Sequence, residues 1–124
     1  MKARNLILAL GVLMAVGATA AKDRHFALTR SVPAADATVT SPAEVRLWFS
    51  EPATESSVSI RVTNAGGDAV ETSAVTRDEA DAKVYAVAVP RPLGAGRYTV
   101  AWRGIGDDGH VVTGDFAFTV RAAE

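Results

Sequence analysis

Between Tyr98 and Val120 the chain twice alternates apolar and polar side chains. Tyr98, Val100 and Trp102 stand against Thr99, Ala101 and Arg103, and Phe116, Phe118 and Val120 against Asp115, Ala117 and Thr119. A period of two is that of half-buried strands, whose successive side chains point to opposite faces. The polar, Gly-marked stretch between them holds Asp108 and His110 and predicts a tight hairpin turn. The same alternation runs through Glu44 to Phe49, with Val45, Leu47 and Phe49 on one face, and through Ser57 to Val62, with Val58, Ile60 and Val62 inward. Lys83 to Val89 reads as a further strand and Val70 to Val75 as a short one. Phe26 to Thr29 begins an extended segment that Ser31-Val32-Pro33 breaks. Asn64-Ala65-Gly66-Gly67-Asp68 is a turn, and charged Arg77 to Ala82 is expected to be exposed.

No helical period persists through this part of the chain. About seven short strands at roughly ten-residue spacing predict an all-β chain, an immunoglobulin-like Greek-key β-sandwich. Trp102 is expected in its core. Trp48, on the opposite strand face from Leu47 and Phe49, is expected to be partly exposed.

The first residues follow another pattern. Lys2 and Arg4 precede an uncharged apolar run from Leu6 to Ala18, and Ala18-Thr19-Ala20 has the form of a cleavage site. That is a secretory signal peptide over residues 1–21, leaving one sandwich domain over residues 22–124. The apolar run is shorter than the roughly 20 residues a membrane-spanning helix needs. The expectation is a periplasmic protein, with no membrane insertion once the signal is cut. The chain has no cysteine, so disulfides and thiolate metal sites are excluded. Its net charge of −1 becomes more acidic when Lys2 and Arg4 are removed, and no basic patch calls for nucleic acid.

Asp108 and His110 are the residues with chemistry to offer. At i and i+2 of an extended segment they would share a face, provided the backbone around Gly109 is strand-like, and Asp107 would then point away. A carboxylate with an imidazole suits Cu(II), Zn(II) or Ni(II), with Cu(II) held tightest. Two donors make a weak site, and the other histidine, His25, lies far away in sequence at the start of the mature chain. No Ser-His-Asp or paired-carboxylate arrangement stands out, so no enzyme is expected.

Several segments taken together resemble one family. They are His25-Phe26-Ala27-Leu28, Ser31-Val32-Pro33-Ala34 with Asp36, and Val45-Arg46-Leu47-Trp48-Phe49-Ser50-Glu51-Pro52. Pro92-Leu93-Gly94-Ala95-Gly96-Arg97-Tyr98 follows, then Trp102-Arg103 with Asp108-Gly109-His110 and Thr113-Gly114. This ordered set resembles the CopC-like periplasmic copper-binding and copper resistance proteins. The resemblance implies a small exported β-sandwich that binds one Cu(II) through an N-terminal histidine, with its amine, and the Asp and His of the turn. Here those residues are His25, Asp108 and His110. Glu51 stands where a carboxylate lies near the copper, to ligate it or to orient a histidine. The implied role is copper tolerance, buffering or delivery, with a CopD-type membrane transporter or a cuproenzyme as partner.

Two departures matter. Many relatives carry a Met- and His-rich Cu(I) segment, whereas the methionines here are Met1 and Met14, so no Met-rich Cu(I) site is expected. In the family the histidine is the first mature residue, whereas the cleavage pattern here leaves Lys22-Asp23-Arg24 ahead of His25. A second trimming step would expose His25, or the extension would fold back and offer Asp23, or two histidines and one carboxylate would serve alone. The displaced His25 also supports an alternative, a CopC-like sandwich that has lost tight metal binding and acts as an interaction module.

Overall fold

The computed structural model describes residues 25–122, so the expectations for residues 1–21 and for Asp23 lie outside the described residues. Eight strands follow in order: β1 (Leu28–Val32), β2 (Thr38–Val39), β3 (Glu44–Phe49), β4 (Ser59–Thr63), β5 (Thr76–Arg77), β6 (Val84–Ala88), β7 (Gly96–Ile105) and β8 (Val111–Val120). They form two four-stranded sheets, β1-β3-β6-β5 and β2-β8-β7-β4. Only β2 and β8 run parallel. The strand order is that of a constant-type immunoglobulin sandwich, with the chain crossing from the first sheet to the second between β1 and β2.

The expected all-β sandwich is thus present, with eight strands where about seven were read. The excess comes from β2 and β5, two residues each, too short to carry a period. The break expected from Ser31 falls two residues later, at Pro33, because β1 continues through Ser31 and Val32 by pairing with Leu47 and Arg46. Val70 to Val75 does not form the expected strand. Its backbone is taken up at Ser73 instead, whose N–H donates to the Ala88 carbonyl (3.0 Å) and whose Oγ accepts from Ala88 N–H (2.8 Å). One side chain there replaces a rung of the ladder, and β5 pairs with β6 only from Thr76.

The core is built by the alternation. Val45, Leu47 and Phe49 of β3 face Val62 of β4, Val100 and Trp102 of β7, and Phe118 and Val120 of β8, all of them buried. Each such side chain contributes roughly 1.5–3 kcal/mol by leaving water. Trp48 is half-buried, as expected, with the Arg30 guanidinium 4.2 Å above its ring. The Pro92-to-Tyr98 stretch has a structural role: Tyr98, near the start of β7, is buried and donates its hydroxyl to the Gly94 carbonyl at 2.7 Å. That contact is the tyrosine corner of immunoglobulin-like sandwiches, which fixes the crossing between the sheets.

β7 and β8 are the longest strands, paired over ten residues from Gly96–Val120 to Ile105–Val111. Their connecting turn projects from one end of the sandwich and carries Asp107 to His110.

Candidate metal centre

The turn closes through backbone bonds from Gly106 N–H to the His110 carbonyl (3.2 Å) and from Gly109 N–H to the Gly106 carbonyl (2.9 Å). Gly109 has φ +83°, a left-handed conformation that glycine adopts without penalty. The strand-like backbone expected at Gly109 is therefore absent, and Asp108 and His110 converge by another route. Asp108 Oδ1 accepts the His110 backbone N–H at 3.0 Å, which folds the aspartate side chain back over the turn. Its other oxygen, Oδ2, then lies 3.1 Å from His110 Nδ1. Asp107 is exposed and makes none of these contacts.

His25 reaches the same carboxylate: its Nδ1 is 3.5 Å from Asp108 Oδ2. Packing closes the gap in sequence. Phe26 is buried, stacked on Phe49 with ring centroids 4.5 Å apart and meeting Trp102 edge-on at 6.5 Å. It occupies a slot that exists because residues 104 and 106 are glycines. A Cβ on Gly104 would fall 2.8 Å from the Phe26 ring, and one on Gly106 would fall 2.7 Å from Phe26 Cβ. The residue before Phe26 is thereby delivered to the turn.

Glu51 belongs to the same end of the sandwich. The point a Gly106 Cβ would occupy is 3.0 Å from Glu51 Oε2 and 3.5 Å from Asp108 Oδ1, so the two carboxylates face one space that a larger side chain at residue 106 would fill. The Asp108 carboxyl is held below the usual carboxylate range. The bond from His110 N–H is the largest cause, followed by the opposing effect of desolvation and then by the imidazoles of His110 and His25. It is an anion at neutral pH, which is the form that attracts a cation.

The arrangement fits a metal by donor chemistry and by spacing. Two donors about 2.0 Å from one ion and at right angles lie about 2.8 Å apart, and each imidazole nitrogen is within several tenths of an ångström of that separation from Asp108 Oδ2. Among the described residues no three or more such side chains are already closed into a cage. What exists is two imidazoles aimed at one carboxylate oxygen, with side-chain exposures of 70% for His25, 41% for Asp108 and 78% for His110. Sequence reasoning missed Ser50, Phe26, Gly104 and Gly106, although the family-like runs Phe49-Ser50-Glu51-Pro52 and His25-Phe26 contain two of them, Ser50 and Phe26.

The chain matches the CopC domain family over residues 28–121. It is 34% identical over 121 residues to copper resistance protein C of Escherichia coli, spanning 93% of this chain and 94% of that protein. Among solved structures it superposes on PcoC, a methionine-rich copper resistance protein from Escherichia coli, with a TM-score of 0.71 and 33% identity, covering 79% of this chain and all (100%) of that one. It is also 29% identical over 101 residues to the copper transport protein CutJ of Bacillus subtilis, spanning 81% of this chain but only 19% of CutJ. Unlike the methionine-rich PcoC, this chain has its two methionines at positions 1 and 14, outside the matched domain.

Proposed function

This chain belongs to the CopC domain family, whose relatives include copper resistance and copper transport proteins, and on that premise we propose that it is an exported, non-enzymatic protein that holds one Cu(II) ion for tolerance, buffering or delivery. The observation that carries the reading is the meeting of His25 Nδ1 and His110 Nδ1 on Asp108 Oδ2. Neutral imidazole nitrogens and one carboxylate are borderline-to-hard donors, and with no cysteine and no methionine in the domain the set favours Cu(II) over Cu(I). Glu51 faces the same space and would orient a histidine or add a carboxylate oxygen.

In this reading the copper is cargo. Asp108 supplies the negative charge, His110 is fixed to it through the turn, and His25 comes from the other sheet's edge to complete the set. The high exposure of all three side chains supports transfer to a receiving protein, which an enclosed site would hinder. The occurrence of the matching stretch inside the longer CutJ protein supports a membrane transporter of the CopD type as the receiving partner. The leader-like pattern of residues 1–21 supports export to the periplasm. Among the described residues no helix is long and apolar enough to cross a membrane.

Calorimetric or competition titration with Cu(II) tests the site. The full exported chain should take up one equivalent, and His110→Ala should abolish tight binding with little change in melting temperature, because His110 is exposed and carries no core area. Unchanged affinity in that variant would remove the proposed site. A second reading rests on Lys22-Asp23-Arg24 ahead of His25, which would deny the site its terminal amine and leave a metal-free interaction module. Failure of the full chain to take up copper favours that reading.

A further inference from the structure

We propose that Ser50 is the positioning residue that holds His25 against the Asp108–His110 turn, an inference that rests on the copper-site reading above. His25 precedes β1, has no partner in either ladder and is exposed, so nothing in the sheets themselves orients it. Burial of Phe26 fixes residue 26 but leaves open the direction in which the chain departs from it. Ser50 Oγ closes that freedom from both sides. It accepts the Ala27 N–H at 3.0 Å and donates to the His25 carbonyl at 3.1 Å, while the Ser50 backbone N–H donates to the Ala27 carbonyl at 2.8 Å.

Holding the carbonyl of residue 25 restricts its ψ, and with it the direction of the Cα–Cβ bond that carries the imidazole toward Asp108. Ser50 is itself exposed, and both of its hydroxyl bonds lie at the surface, so water would replace them at small cost to folding. The adjacent residue, Glu51, faces the space beside Asp108. The Ser-Glu pair that ends the third strand segment thus serves the metal end twice, Ser50 through the backbone of a ligand and Glu51 through its carboxylate.

The test compares Ser50→Ala, Ser50→Thr, His25→Ala and the double variant His25→Ala/Ser50→Ala as full chains. Cu(II) affinity is read by competition titration, site geometry by the electron paramagnetic resonance spectrum, and folding by melting temperature. Ser50→Ala should weaken Cu(II) binding by about 10-fold or more, as removal of groups that orient metal ligands typically does, and should alter the copper hyperfine splitting while the melting temperature barely moves. Ser50→Thr keeps the hydroxyl and should restore both affinity and spectrum. In the His25→Ala background the Ser50 change should have no further effect. Wild-type affinity and spectrum in Ser50→Ala would overturn the proposal, as would a loss of equal size in the His25→Ala background. A metal-free readout keeps the two readings separate: the nuclear Overhauser contact between the His25 ring and the Asp108 side chain, expected from their 3.5 Å approach, should disappear in Ser50→Ala and persist in Ser50→Thr. If the wild-type chain took up no Cu(II), the copper reading would fail, and this contact would still decide for or against Ser50.

Discussion

Gly114 faces Trp102 across β7 and β8, and the indole lies over it. A Cβ added at Gly114 would stand 2.6 Å from Cζ2, 2.8 Å from Cε2 and 3.0 Å from Nε1 of that ring. Carbon atoms rest at about 3.5–4.0 Å, so the indole would have to retreat by on the order of 1 Å. It has little room to do so, being 8% exposed and wedged against Phe49 at 5.3 Å and Phe26 at 6.5 Å. Overpacking of this kind costs roughly 1–3 kcal/mol. The backbone itself has no objection to alanine, since Gly114 is not among the glycines with positive φ, and a glycine in a strand is weaker than alanine by roughly 0.5–1 kcal/mol. Net of that gain, Gly114→Ala should destabilise the wild-type chain by up to roughly 2.5 kcal/mol and be neutral or stabilising once Trp102→Leu has removed the ring. Urea unfolding measures both, because with a slope of about 1–3 kcal/mol per molar a penalty of about 2 kcal/mol moves the midpoint by about 1 M. Trp102→Leu alone should cost about 3 kcal/mol, within the range for truncating a buried aromatic side chain. An equal penalty for Gly114→Ala in both backgrounds would refute the claim that the indole reserves this position for glycine.

Tyr98→Phe should lose about 1 kcal/mol of stability by urea denaturation, the usual worth of one hydrogen bond, and leave Cu(II) affinity unchanged; a copper effect would mean that the tyrosine corner reaches the metal end. The lowered pKa of Asp108 gives stability that is present above the pKa of the unfolded chain and lost as pH falls through the lower folded value. Carboxyl carbon titration of the metal-free protein should accordingly give Asp108 a midpoint below the ordinary aspartate range, and a midpoint within or above that range would contradict the bonding described for the turn. Intact mass of the exported protein should begin within residues 21–25, and a mass that retains residues 1–20 would overturn the leader reading.

The strands were legible where burial is one-sided. Glu44 to Phe49 is bounded by the same residues in both readings because every second side chain enters the core. Val70 to Val75 misled because its valines pack partly against the core while the backbone bonds go to Ser73, a contact that no period reveals. At the metal end the residue types were readable and the means of bringing them together were not. Asp108 and His110 were expected to meet through an extended backbone, and they meet through an Asp side chain bonded across a left-handed Gly109. His25 looked remote because its approach depends on the shapes of Phe26, Gly104 and Gly106, residues distant in sequence that carry no ligand chemistry of their own.

The sheet order gives the three ligand candidates unequal tenure. Asp108 and His110 sit at the tip of a hairpin whose β7 lies between two neighbours, whereas His25 precedes β1, a rim strand bonded on one side only to β3. Opening of a terminal rim strand requires much less free energy than global unfolding. Because Phe26 is buried and pins the strand behind it, the dissociation rate of a held ion would be set by residue 25 turning away from the turn, an opening that breaks the bond from Ser50 Oγ to the His25 carbonyl while the hairpin and β7 stay intact.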